Sequence, residues 1–189
     1  MMPLDLVFRN LTGQRAYGPR FFTRVLRVAS KHLGLGRQSI ELSITLAGPS
    51  RMRSLNKHYR SVDVSTDVLS FPLHGTVLKA GLGGSSAKRY TIRALGDIFI
   101  CPSVARRQAL EERTSLQTTL AWLTVHGFLH LMGYDHPDAG RSEPRSRRSQ
   151  SALRQNRRQL KRRGERMVAL EKKILKTLSY GPALHHRRN

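Results

Sequence analysis

TVHGFLHLMGYDHPD, residues 124–138, holds His126, His130 and His136, a density of histidine found nowhere else in the chain. His126 and His130 stand four residues apart. On a helix this spacing puts both on one face, with Cβ atoms about 5–6 Å apart. Two imidazoles need that gap to share one metal ion at about 2.0–2.1 Å each. Gly133 suits the left-handed residue that ends a helix, and the turn Gly133-Tyr134-Asp135 can carry His136 back over the first two. The expectation is three neutral imidazoles converging from a helix and the turn after it, with the fourth tetrahedral position open to water. An open position belongs to catalytic rather than structural zinc. A lone histidine is more often a core side chain than a ligand, but three in register at these spacings point to metal.

The same skeleton occurs in the metzincin proteases, HExxHxxGxxH. There the residue after the first histidine is the glutamate that acts as general base. Here it is Gly127. That argues against peptide hydrolysis by this mechanism, and it suggests that another element packs closely against the helix at this point. Working back, Ser115 caps a helix over Leu116–Met132. This helix is apolar nearly all round, through Leu120, Ala121, Trp122, Leu123, Val125, Phe128, Leu129 and Leu131, so it is expected to be buried and central. Its histidines then open onto a cleft rather than onto bulk water.

Upstream, Leu4–Arg9 and Ser39–Ala47 alternate apolar and polar residues and predict strands. Between them Gly18-Pro19 opens a helix with Phe21, Phe22, Val25, Leu26, Val28, Ala29 and Leu33 on its apolar face, closed by Gly34 and Gly36. Gly48-Pro49-Ser50 starts a short helix with Met52, Leu55 and Tyr59. Val68-Leu69-Ser70-Phe71 predicts a short strand closed by Pro72. The polar loop that feeds it carries Arg60, Asp63, Thr66 and Asp67, and such loops often hold functional residues. Asp63 and Thr66 can equally be turn and cap formers. Arg60 differs, because a guanidinium beside a metal is a ready phosphate clamp. Residues 74–93 lack a clear period and predict a mobile loop or an irregular hairpin. Leu95–Cys101 is nearly all apolar, as a central strand would be, and Pro102 opens a helix through Leu110 and Glu112.

Charge narrows the partner. The 189 residues carry 34 Lys+Arg against 12 Asp+Glu, a formal net charge of +22. Residues 1–140 hold 18 basic and 9 acidic side chains, and residues 141–189 hold 16 and 3. Such a balance implies a polyanion, most simply nucleic acid, though a solvated basic tail needs no specific partner. From Ala139 to about Arg163 the chain is a charge run without an apolar face, either a disordered arm or a helix that orders on a polyanion. Arg166–Leu178 regains helical period through Met167, Leu170, Ile174, Leu175 and Leu178. His185-His186 in the tail are expected to be solvated. A single cysteine, Cys101, excludes an internal disulfide and suits a reducing compartment. No stretch approaches a membrane span or a signal peptide, so a cytoplasmic location without membrane contact is expected.

Three segments, LNKHYRSVDVSTDVLSFP (55–72), LGDIFIC (95–101) and HGFLHLMGYDH (126–136), together resemble the YbeY family. The match in order and spacing runs from about residue 4 to 138 and again from about 165 to 178. The resemblance implies a single-strand-specific, metal-dependent endoribonuclease. It would act in ribosomal RNA maturation at the 16S 3′ end and in ribosome quality control, with the ribosomal subunit as partner. It implies an α/β fold: a small mixed four-stranded sheet with one antiparallel strand, wrapped by about five helices in a single domain, with the motif helix behind the sheet. His126, His130 and His136 would hold one Zn2+ with a water in the fourth position, and Arg60 would line the cleft. The expected organisation is a catalytic core over 1–138, a basic insertion or flexible arm over 139–164, a docked terminal helix over 165–180 and a disordered tail over 181–189. Two departures stand out. Ser65 takes the place of the family's usual proline, and 140–163 looks like an insertion. Asp135 is a candidate partner for an imidazole N–H, or simply a turn cap. The rival readings are a non-catalytic ribosome-assembly factor with structural zinc and, further off, a zinc peptidase.

Overall fold

The computed structural model describes residues 4–13, 17–35, 39–80, 89–134 and 150–180. In chain order the elements are β1 (Leu4–Asn10), α1 (Pro19–His32), β2 (Ser39–Leu46), α2 (Pro49–Arg60), β3 (Val68–Ala80), β4 (Arg89–Ile100), α3 (Pro102–Glu111), α4 (Leu116–Leu131) and α5 (Gln150–Thr177). Three of the helices begin with proline at the first helical position, where its missing N–H costs nothing. Ser115 caps α4 as its sequence predicts, its Oγ accepting from the Thr118 amide at 3.0 Å.

The four strands form one sheet in the order β1-β2-β4-β3. β1 and β4 run parallel to β2, and β3 runs antiparallel to β4. The fold is therefore the mixed α/β arrangement that the family resemblance implies. The predicted strand at residues 68–71 does not stop at Pro72. It continues to Ala80 and pairs with residues 89–94, so the hairpin alternative holds for the described part of residues 74–93. Pro72 is tolerated because β3 is the edge strand, where a missing N–H need not break the ladder. The ladder slips between Pro72 and Gly75 opposite Gly96. Gly96 has φ +121, and a Cβ there would lie 2.0 Å from the Phe71 carbonyl oxygen. The close approach of the two backbones at this bulge requires glycine.

One face of the sheet carries the main core. Ile40, Leu42, Ile44, Leu46, Val68, Leu95, Ile98 and Ile100 pack there with Phe22, Val25 and Leu26 of α1, with α4, with Met167, Ile174 and Leu175 of α5, and with Leu178 just past its end. The other face is smaller: Leu69, Phe71, Phe99 and Cys101 meet Met52 and Leu55 of α2 and Val104 of α3. Helix α4 is buried along nearly its whole length, as its all-round apolarity predicts. The terminal helix, expected over Arg166–Leu178, begins instead at Gln150, so part of the basic segment shares one helix with the docked end. Residues 139–149 of that segment and the tail at 181–189 lie outside the described residues. Among the described residues no helix is long and apolar enough to cross a membrane.

Candidate metal centre

Helix α4 carries His126 and His130 one turn apart. Its end is a Schellman turn: Gly133, at φ +83, donates to the His130 carbonyl, and Tyr134 donates to the Leu129 carbonyl, each at 3.0 Å. The predicted left-handed role of Gly133 is thereby met. Tyr134 folds back onto the core, so the chain leaves the helix beside its last turn. Asp135 and His136, the next residues, lie outside the described residues.

The two described histidines face one another. Their Nε2 atoms are 3.1 Å apart, and their ring centroids 4.6 Å apart at 74°. Two ligands held at about 2.0–2.1 Å by one tetrahedral metal stand about 3.3 Å from each other, so the pair already has nearly the spacing a shared cation requires. His126 is 1% exposed, and its Nδ1 lies 2.8 Å from Oε1 of Glu171, itself 5% exposed. A carboxylate only accepts, so this bond puts the proton on Nδ1 and leaves the Nε2 lone pair aimed at His130. Trp122, one turn earlier, lies against the His126 ring with centroids 4.9 Å apart at 33°. The imidazole is thus held by packing on one side and by a buried carboxylate behind it. The donor set suits zinc: neutral imidazole nitrogens, one backed by a carboxylate.

Glu171 was not among the site residues that the sequence suggested. The signal was present nonetheless. Met167, Ile174 and Leu175 form the buried stripe of α5, which Leu178 continues past its end, and Glu171 falls on that stripe at helical spacing. An acid on a core stripe needs a buried partner, and His126 is that partner.

Gly127 also has its reason. A Cβ built there would stand 2.9 Å from Cγ2 of Ile98 and 3.0 Å from Oγ of Ser70. Helix α4 therefore lies directly on β3 and β4 where Ser70 pairs with Ile98. The close neighbour that the sequence suggested is the sheet itself.

A family profile described as "Endoribonuclease YbeY" matches residues 14–157. The Endoribonuclease YbeY of Moorella thermoacetica is 40% identical over 134 residues, covering 69% of this chain and 81% of that protein. The Salinispora tropica protein of the same name is 40% identical over 129 residues, covering 68% and 78%. That of Desulfitobacterium hafniense is 37% identical over 124 residues, covering 66% and 76%. The chain belongs to the YbeY endoribonuclease family.

In this chain the segment over residues 55–72 is split between scaffold and surface. Asn56, buried in α2, donates through Nδ2 to the Val64 carbonyl at 2.8 Å. Asp67 accepts from the Val68 amide and the Thr66 hydroxyl through Oδ1 and from Gln108 through Oδ2. Asp63 accepts from Arg53 at 2.7 Å and Lys57 at 3.0 Å. Those two hydrogen bonds, that from Arg53 first, hold its carboxyl below the usual carboxylate range. Asp63 and Thr66 thus serve the loop, by tying it to α2 and to the start of β3. Arg60 is the last residue of α2 and is exposed. Its helix packs on the Phe71 side of β3, with Tyr59 and Phe71 ring centroids 4.7 Å apart. Helix α4 lies over the opposite side of that strand. Among the described residues no hydrogen bond or ion pair joins Arg60 to His126 or His130.

Proposed function

We propose that this chain is a zinc-dependent, single-strand-specific endoribonuclease that acts in the cytoplasm on ribosomal RNA, at the 16S 3′ end, and in quality control on the ribosomal subunit. The observation that carries the reading is the opposed Nε2 pair of His126 and His130, 3.1 Å apart and braced by Glu171, in a chain of the YbeY family. His126, His130 and His136 would hold one zinc ion, which supplies Lewis acidity toward water and phosphate oxygens when bound. Glu171 keeps the His126 proton on Nδ1 and so keeps a lone pair at Nε2. Arg60 offsets the negative charge that grows on the phosphate in the transition state, for which a bidentate guanidinium is suited. The charge of +22 draws RNA to the surface without sequence preference.

A non-catalytic assembly factor with structural zinc is the second reading, and the packing of α2 and α4 on opposite sides of β3, with Arg60 at the end of α2, favours it. A zinc peptidase loses ground, because Ile98 and Ser70 leave no volume at position 127 for a glutamate base. The test is zinc content and cleavage of single-stranded RNA for wild type, His130→Ala and Arg60→Ala. The nuclease reading expects about one zinc per chain, loss of both metal and cleavage with His130→Ala, and loss of cleavage alone with Arg60→Ala. Zinc without cleavage above the His130→Ala background would favour the assembly factor.

A further inference from the structure

Helix α1 buries Phe22, Val25, Leu26 and Ala29 against the core. Arg20, Arg24, Arg27 and Lys31 are exposed and follow a 4-3-4 spacing. At about 100° per residue they centre about 180° from the buried stripe. They form one straight row, about 16 Å long at the helical rise. Helix α1 contains no acidic residue, and no carboxylate among the described residues pairs with any of the four. Like charges at these spacings weaken a helix, while the dipole opposes Arg20 in the first turn and favours Lys31 in the last. The row therefore works against the helix that carries it. An open groove of about 510 Å3 is lined by Arg20, Arg24 and Arg27 together with Pro19, Thr23 and Val28.

The geometry points to this face of α1 as a docking surface for the phosphate backbone of helical RNA, separate from the histidine centre. Every cation of the row can donate hydrogen bonds to phosphate oxygens, and Arg does so better than Lys, since its planar fork matches two of them. Single-strand binders add aromatic rings on which bases stack. Here the aromatic side chains turn elsewhere: Phe22 is 0% exposed, and Phe21 packs edge-on against both Phe22 and Tyr17. A rigid row of cations without a stacking platform reads backbone alone. The basic surface continues past the end of α1, where His32 Nε2 meets Thr177 Oγ1 of α5 at 2.9 Å and exposed Lys173 and Lys176 follow on. This proposal rests on the reading that the chain acts on RNA. It adds that the duplex flanking the cleaved strand is held by α1 while the strand itself enters the site.

The test is binding of a labelled hairpin RNA with a single-stranded tail, and of the tail alone, by fluorescence anisotropy from about 50 to 200 mM salt. Wild type is compared with Arg20→Gln/Arg24→Gln/Arg27→Gln. A control triple, Arg51→Gln/Arg106→Gln/Arg107→Gln, removes equal charge from α2 and α3. Each lost duplex phosphate contact lowers the salt slope by about 0.9, so the α1 triple should lower it by about 3. Wild type then loses about 40-fold more hairpin affinity than the α1 triple across that salt range. The control triple should change the slope by less than about 1, and the tail alone should bind all three proteins alike. A single Arg24→Gln variant should lower the slope by about 1, which keeps the test open if the triple folds poorly. Equal slopes for the two triples, or an equal loss on hairpin and tail, would overturn the proposal. Binding is read without cleavage: a wild type that binds with this slope but does not cut defeats the nuclease reading and leaves the α1 surface standing.

Discussion

Replacing Glu171 by alanine should separate the metal centre from the fold. The Glu171 carboxylate is 5% exposed and accepts from His126 Nδ1 at 2.8 Å, in a pocket where His126 is 1% exposed. Removing it leaves a buried imidazole N–H without this acceptor, which costs about 1–3 kcal/mol. Loss of the buried carboxylate's own desolvation offsets part of that cost. In a domain of this size, about 2–4 °C of melting temperature is lost per kcal/mol. The metal-free Glu171→Ala protein should therefore stay folded but melt about 2–12 °C lower. Zinc binding should fall further. With its tautomer and ring orientation no longer fixed, the His126 ligand should weaken metal affinity by about 10–100-fold, equivalent to about 1.4–2.7 kcal/mol. Glu171→Gln keeps an acceptor oxygen in the same place and should lose less than about 10-fold. The assay is competition for zinc against a chromophoric chelator, beside thermal unfolding of the metal-free proteins. If Glu171→Ala binds zinc within about twofold of wild type, Glu171 does not position His126 for metal, and the buried pair is only a device of packing.

Gly127→Ala should destabilise by about 0–2 kcal/mol. Overpacking against Ile98 costs about 1–3 kcal/mol, and the better helix propensity of alanine returns about 1; denaturant unfolding measures the difference. Gly127→Glu, which writes HExxH into α4, should unfold the protein rather than create a peptidase, read by circular dichroism and casein hydrolysis. Gly96→Ala should cost more than about 3 kcal/mol, because its Cβ would meet the Phe71 carbonyl at 2.0 Å on a backbone at φ +121; soluble yield and melting temperature report it. Asp63 has its carboxyl lowered from 3.8 by Arg53 and Lys57, so its contribution is present above that value and is lost as pH falls through the folded one. Asp63→Asn should melt slightly below wild type at neutral pH, and the gap should shrink as pH falls below 3.8 in a melting series.

The helix under the histidines is legible in the amino-acid sequence alone. An i, i+4 pair, a capping serine at 115 and a glycine at 133 act within a few residues of each other, and helical geometry holds whatever packs around it. The same is true of the strands that alternate and of the cationic row on α1, whose spacing is a property of the chain. The YbeY motif added the antiparallel strand and the sheet's make-up, which period and propensity leave open. Other features depend on elements that meet only after folding. Glu171 reaches His126 across 45 residues, and a stripe on α5 says that a partner is needed without saying which. Leu95 and Ile98 share one face although a regular strand would put them on opposite sides, because a bulge at Gly96 shifts the register. Pro72 reads locally as a stop, since only the sheet order shows that β3 is an edge. Arg60 sits close in sequence to the site's loop, yet α2 and α4 pack on opposite faces of β3. Local spacing is set by bond geometry, whereas these placements are set by how apolar faces find one another.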